Sequence, residues 1–299
     1  MYIILLSFLI LPTFLLEVIR AQLRLNHDNK NYAFSEVLNS LILLLSIIIL
    51  SYSFEEKGYA VALLITPIIT SFFFISKIKI ELKTIKKIPL FNIAFWKYGF
   101  FASLSNVVTQ LLFVIDILLI GYLLNNSELV TNYRYISLVP FSLLFLPRVF
   151  IITDFVTITE NIFNKKYIIE YIKNYLSLFT VISILMTLFC WFFSADILIL
   201  FEESYSQYIL SFRILIIGIS GIFIFRNLFG NLLSSIGFAK TNYYIAMVSL
   251  TINIISNFFL IPLYGILGAA ITTAVLMWIS GILSGMSFWY LYTKKLSSK

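Results

Sequence analysis

Residues 98–124 read YGFFASLSNVVTQLLFVIDILLIGYLL, and in these 27 residues Asp116 is the single charge. About 20 predominantly apolar residues in a helix cross the hydrocarbon of a bilayer. A helix apolar on all sides over this length has no polar face to offer water, so the stretch is read as a membrane span. Working outward, eight further runs of the same character lie at 1–19, 34–53, 58–76, 133–156, 175–194, 209–233, 242–261 and 265–292. They are too long and too uniformly apolar for the short alternating strands of a membrane barrel. The expected fold class is therefore all-α, a polytopic transmembrane helical bundle of about nine spans.

Composition agrees. Of 299 residues, 61% are hydrophobic and 12% charged, and mean hydropathy is +0.99. Soluble domains carry about 25% charged residues, and over half of any folded surface must face solvent. Water as sole solvent is thereby excluded. Cys190 is the one cysteine, so no intrachain disulfide forms, and His27 is the one histidine, which excludes histidine-cluster metal sites. Phosphate-cradling glycine loops are missing from the sequence, and no cofactor is expected.

The net charge of +7 is a topology signal. Arg20, Arg24, Lys30, Lys77, Lys79, Lys83, Lys86, Lys87, Lys97, Lys165, Lys166, Lys173, Lys240, Lys294, Lys295 and Lys299 fall in or beside alternate connections. The intervening connections hold Lys57 and Arg134 among Glu55, Glu56, Glu128, Asp196, Glu202 and Glu203. The basic set is expected on the cytoplasmic side, with the C-terminus, and no nucleic-acid partner is needed to explain it. Nine spans then place Met1 outside, which reads as a chain lacking its beginning. The polar stretch 77–97, with Pro89, is taken as a linker between a three-span portion, 1–76, and a six-span portion, 98–299.

The last quarter carries Asn257-Phe-Phe-Leu-Ile-Pro262-Leu-Tyr264-Gly265-Ile-Leu-Gly268-Ala269-Ala270. Elsewhere stand Trp96-Lys-Tyr98-Gly99, leading to Val114-Ile-Asp116 and Gly121, and Leu232-Leu-Ser-Ser-Ile-Gly237-Phe-Ala-Lys240. Together these resemble the polysaccharide flippases, the O-antigen and capsule repeat-unit exporters of the multidrug/oligosaccharidyl-lipid/polysaccharide superfamily. The resemblance covers the whole chain. It implies two pseudo-symmetric six-helix lobes, of which 1–76 would be the last three helices of the first and 98–299 the complete second. It further implies alternating-access transport of a polyprenyl-pyrophosphate-linked oligosaccharide across a bacterial inner membrane, for surface polysaccharide synthesis, with no covalent chemistry. A polysaccharide polymerase and glycosyltransferases are the partners such a protein would have, and a proton or sodium ion its coupling ion.

Charges inside spans are the first site candidates, because each costs about 2.5–3.5 kcal/mol on insertion scales. Arg226, with Asn227 beside it and Asn231 a turn on, reads as a cationic and amide contact for pyrophosphate or sugar, or else as an arginine bonded to a neighbouring helix. Arg148 follows Pro147, and reads equally as a cavity residue at a kink or as a headgroup contact. Asp116 reads as a proton or cation coupling site, a partner for an arginine, or a structural ion pair. Asn106 and Gln110, with Ser103, form a polar stripe beside it, equally readable as a lumen wall or as helix–helix glue. Arg213 and Asp154 are expected at interfaces, Glu17 there or weakly toward a lumen, and Asn253 and Asn257 against another helix.

Other classes stay open at this point. A multidrug or organic-cation antiporter of the same superfamily should have an acidic, aromatic site, whereas the deep charges here are two basic and one acidic. A membrane-embedded polymerase or acyltransferase should show a sizeable external loop or a polar cluster at a membrane face. The reading of 1–76 as a partial lobe also admits a non-functional flippase fragment.

Overall fold

The computed structural model describes residues 7–77 and 92–297, and every regular element among them is helical. The chain divides into two compact units, Met1–Leu90 and Phe91–Lys299. Of the stretch read as a linker, 78–91 lies outside the described residues, while Ile93 already opens a helix. Met1 and Lys299, used above to set the topology, also lie outside them.

In the first unit, α1 (Ile10–Leu25) turns through Asn26–Asp28 into α2 (Asn29–Phe74). Asp28 caps α2: its side chain accepts from the Asn31 amide and backbone N–H, bonds that hold its carboxyl below the usual carboxylate range. α2 is a hairpin of two arms, 29–54 and 56–74, folded at Glu55, whose φ of 52° and ψ of −129° are non-helical. Gly58 lies against the Leu50 carbonyl, Thr70 donates to Asn39 at 3.2 Å, and the Phe34 and Phe74 rings meet at 5.8 Å. These pairs march apart from the fold point in step, as antiparallel arms must.

The second unit runs α3 (Ile93–Leu124), α4 (Ser127–Leu143), α5 (Phe145–Glu160), α6 (Lys165–Phe192), α7 (Ser194–Ile199), α8 (Ile209–Gly221), a π turn (Ile222–Arg226), α9 (Asn227–Ser235), α10 (Ala239–Tyr264) and α11 (Ile266–Ser297). Asn92, Asn126 and Asn164 cap α3, α4 and α6 with their side-chain oxygens. One core cluster, around Phe179, Phe223, Leu228, Phe288 and Tyr292, extends toward the end that carries Lys165, Lys240 and Lys295. The other, around Ile120, Tyr133, Leu198 and Phe212, extends toward Glu128 and Glu202. Glycine permits the close packing of α8 and the π turn on α11. A Cβ on Gly218 would fall 2.5 Å from the Ala274 Cα, and one on Gly281 2.9 Å from the Gly221 carbonyl oxygen. The Gly281–Gly285 pair therefore serves contacts inside the bundle.

Among the described residues, seven helices are long and apolar enough to cross a membrane. The runs 34–53 and 58–76 are the two arms of one folded helix and so count once, and of the run 1–19 residues 1–6 lie outside the described residues, leaving α1 at 16. The outer surface of the spans is apolar, as at Leu118, Val181 and Phe259, each about half exposed or more. The chain is an all-α, multi-pass membrane protein.

The first unit recurs in the second with a constant offset of 210 residues. α2 begins at Asn29 and α10 at Ala239; α2 folds at Glu55, and the α10–α11 junction folds at Gly265 with φ 57° and ψ −135°. Positive φ before the helix falls at His27 and at Gly237. Gly58 abuts the Leu50 carbonyl and Gly268 the Leu260 carbonyl. The two segments share little sequence beyond such points as Leu50 and Leu260, Gly58 and Gly268, Ala60 and Ala270.

Candidate functional site

Asp116 sits three-quarters of the way along α3 and is fully buried. A carboxylate taken from water loses several kcal/mol of hydration unless donors replace it. Here four do. The Tyr133 hydroxyl on α4 donates to Oδ2 at 2.8 Å, and the Thr273 hydroxyl on α11 donates to the same oxygen. The amides of Asn253 and Asn257, one turn apart on α10, donate to Oδ1 at 3.1 and 2.8 Å. Asn257 also donates to the Asn253 side-chain oxygen at 3.0 Å, and its own Oδ1 is buried with no hydrogen-bond partner among the described residues. All the partners are neutral, so Asp116 is neither in an ion pair nor bonded to an arginine.

The 210-residue offset shows that the fold does not require this cluster. Asn253, Asn257 and Thr273 correspond to Leu43, Ile47 and Leu63, all apolar. The same helical hairpin is built once with a polar centre and once without.

Arg226 closes the π turn. Its guanidinium Nη1 donates to Ser284 on α11 at 2.8 Å and to the Asn242 side-chain oxygen on α10. Gly230, one turn on, leaves the room: a Cβ there would lie 3.0 Å from Nη1. No carboxylate pairs with Arg226 among the described residues. In the first unit the position of Gly230 is Arg20, which meets Glu17 at 2.8 Å and Glu36 at 3.2 Å. Both units thus carry a guanidinium on equivalent helices, neutralised by acids in one and held by neutral oxygens in the other.

The remaining candidates separate. Asn227 donates to the Pro147 carbonyl at 2.7 Å, and Asn231 back to the Asn227 carbonyl at 2.7 Å, so both amides are engaged within the bundle. Arg148, Asn106 and Gln110 are exposed, and their side chains find no hydrogen-bond partner among the described residues. Arg213 donates to Ser194 and to the Trp191 carbonyl, closing the end of α6, and lies over the Trp191 ring at 4.7 Å. Asp154 is engaged too, accepting from the Tyr171 hydroxyl at 3.0 Å. Tyr133, Thr273, Asn242, Ser284 and Tyr175 were not legible as site residues. The i, i+4 spacing of Asn253 and Asn257 marked a polar face, but nothing in the sequence tied it to Asp116.

One curated relative is similar in part. The uncharacterized membrane protein MJ1375 of Methanocaldococcus jannaschii is 33% identical over 98 residues, which are 32% of this chain. The match spans about a quarter of that relative's length (23%). No family model matches the chain, and no solved structure matches it.

Proposed function

We propose that this multi-pass membrane protein is a flippase for polyprenyl-pyrophosphate-linked oligosaccharides, working by alternating access in surface polysaccharide synthesis. The observation that carries the reading is the state of its intramembrane charges. Among the described residues Arg226 is held only by neutral oxygens and the exposed Arg148 has no partner, while the acidic Asp116 is enclosed by four donors. Cations without counter-ions suit an anionic headgroup, since charge-assisted bonds to phosphate are about twice as strong as neutral ones. A cationic drug would need the reverse arrangement, which disfavours the antiporter reading.

Exposed Asn106, Gln110 and Arg148 fit the same scheme. Polar groups in hydrocarbon cost several kcal/mol each unless they face protein or a watery path. Asp116 and its neighbours are read as the coupling-cation site. A buried carboxylate, the Asn253 and Thr273 oxygens and the unused Asn257 Oδ1 form an oxygen-rich centre that the hairpin itself does not require. A proton on Asp116, or a sodium ion among these oxygens, would balance its charge as the helices move.

The test is reconstitution of the full chain in liposomes with a fluorescent polyprenyl-pyrophosphate disaccharide in the inner leaflet. Headgroup exposure is followed by a membrane-impermeant quencher. Faster exposure than in protein-free liposomes, lost in Arg226→Gln, supports the reading, and equal rates with and without protein overturn it.

A further inference from the structure

Two helical segments of the second unit break beside one another, and one pair of side chains holds both breaks. The first break lies between α4 and α5. Leu144 separates the helices, Pro147 has no N–H to return to the Leu143 carbonyl, and the Arg148 N–H reaches the Leu144 carbonyl only at 3.4 Å. The second is the π turn, where the Asn227 N–H bonds to the Ile222 carbonyl, one residue further back than in an α-helix. Such breaks disturb the regular pairing of carbonyls, and other donors take them up.

Asn227 and Tyr175 link the two breaks. Asn227 Nδ2 donates to the Pro147 carbonyl at 2.7 Å and to the Tyr175 hydroxyl at 3.4 Å. The Tyr175 hydroxyl donates to the Phe223 carbonyl at 3.2 Å. Tyr175 is buried and stacked on Phe179 at 4.3 Å, so its hydroxyl has little freedom to leave. A cavity of about 10 Å³ lined by Leu143, Ser183, Thr187, Ser220 and Phe223 adjoins both breaks. Each break bears an arginine at the adjacent position: Arg148 follows Pro147, and Arg226 precedes Asn227.

The geometry points to Tyr175 and Asn227 as positioning residues, which set the spacing of Arg148 and Arg226 by clamping the Pro147 and Phe223 carbonyls across three helices. Neither side chain needs to touch cargo. The inference rests on the reading of the two arginines as headgroup contacts. Two cations serve one pyrophosphate only if their separation is held, and a misplacement near 1 Å costs up to about a hundredfold.

The test uses the full chain with Cys190→Ser and spin-label pairs at 128 and 160, flanking the first break, and at 210 and 240, flanking the second. The unmodified clamp is expected to give one narrow distance for each pair. Tyr175→Phe and Asn227→Leu are expected to shift or broaden these distances by about 2 Å or more. Asn227→Gln, which keeps an amide donor, should recover the narrow form and guards against a simple folding defect. Unchanged distances in both Tyr175→Phe and Asn227→Leu overturn the clamp.

Binding of geranylgeranyl pyrophosphate is read separately on the same preparations. Binding about tenfold weaker in Asn227→Leu, with both arginines intact, supports positioning. Wild-type affinity in that variant despite altered distances overturns it. If the parent protein binds no geranylgeranyl pyrophosphate, the transport reading fails, while the distances still decide the clamp.

Discussion

Asn257 donates to Asp116 Oδ1 at 2.8 Å across 141 residues of chain, and its own side-chain oxygen is buried with no partner among the described residues. The bond ties α10 to α3, and the unused oxygen leaves the centre one acceptor in surplus. Replacing Asp116 with leucine removes an acceptor from four donors, and leaves the Tyr133 and Thr273 hydroxyls with no other among the described residues. Breaking a buried polar cluster in this way costs about 3–5 kcal/mol. Asp116→Leu should therefore melt well below the parent in detergent, whereas Asp116→Asn, which keeps an acceptor oxygen, should lose less. Equal melting temperatures for the two variants would contradict the accounting of donors given above.

Removing the whole cluster should behave differently. Asn253→Leu, Asn257→Ile and Thr273→Leu install the residues that the first unit uses at Leu43, Ile47 and Leu63. Combined with Asp116→Leu, they leave only the Tyr133 hydroxyl without its acceptor. Apolar replacement of a complete buried polar network is often neutral or stabilising. The expected outcome is a protein that melts within a few degrees of the parent but moves no lipid. Normal flipping by this variant in liposomes would remove Asp116 from the mechanism.

Glu55 and Gly265 occupy the same left-handed backbone conformation at equivalent folds. A residue with a Cβ is strained there, at a cost of about 1–3 kcal/mol. Glu55→Gly should raise the melting temperature, offset in part by the entropy that glycine loses on folding. Gly265→Ala should lower it. Gly268→Ala should be worse, because its Cβ would fall 2.2 Å from the Leu260 carbonyl oxygen, a backbone atom with nowhere to go. Thermal unfolding of the three single variants orders them.

Gly230 gives the Arg226 guanidinium its room. Gly230→Ala should displace Nη1 from Asn242 and Ser284 while leaving the charge in place. If Arg226 contacts cargo, Arg226→Gln should slow flipping about tenfold or more, the loss of about 1.4 kcal/mol of charge-assisted binding. Gly230→Ala should fall between that variant and the parent. Initial rates in the quenching assay compare all three.

The apolar runs and their alternating charges were legible because a bilayer leaves few choices. Backbone polar groups must pair within a helix, and the ends must carry the charges. The fold at Gly265 was legible for a similar local reason, the Tyr-Gly turn between two runs. At Glu55 the charged connection between two runs marked the turn but not its positive φ, of which glutamate gives no sign. The 210-residue repeat was equally hidden, because lipid-facing helices accept almost any apolar residue and the two segments have drifted apart in all but a few positions.

Sequence by itself determined the solvent, the helical class, the positions of the spans and the identity of the charges inside them, since each follows from transfer free energies that act residue by residue. Tertiary structure alone decided which of those charges are satisfied. Asp116 and Asn257 are 141 residues apart in the chain, and Pro147 and Asn227 are 80 apart. Their meeting depends on how helices pack, with glycine seams setting the approach of α8, the π turn and α11, and on the π turn that fixes the positions of Arg226 and Asn227. Hydrogen bonds reach only about 3 Å, so a shift of one helical turn in any of these segments would join different residues.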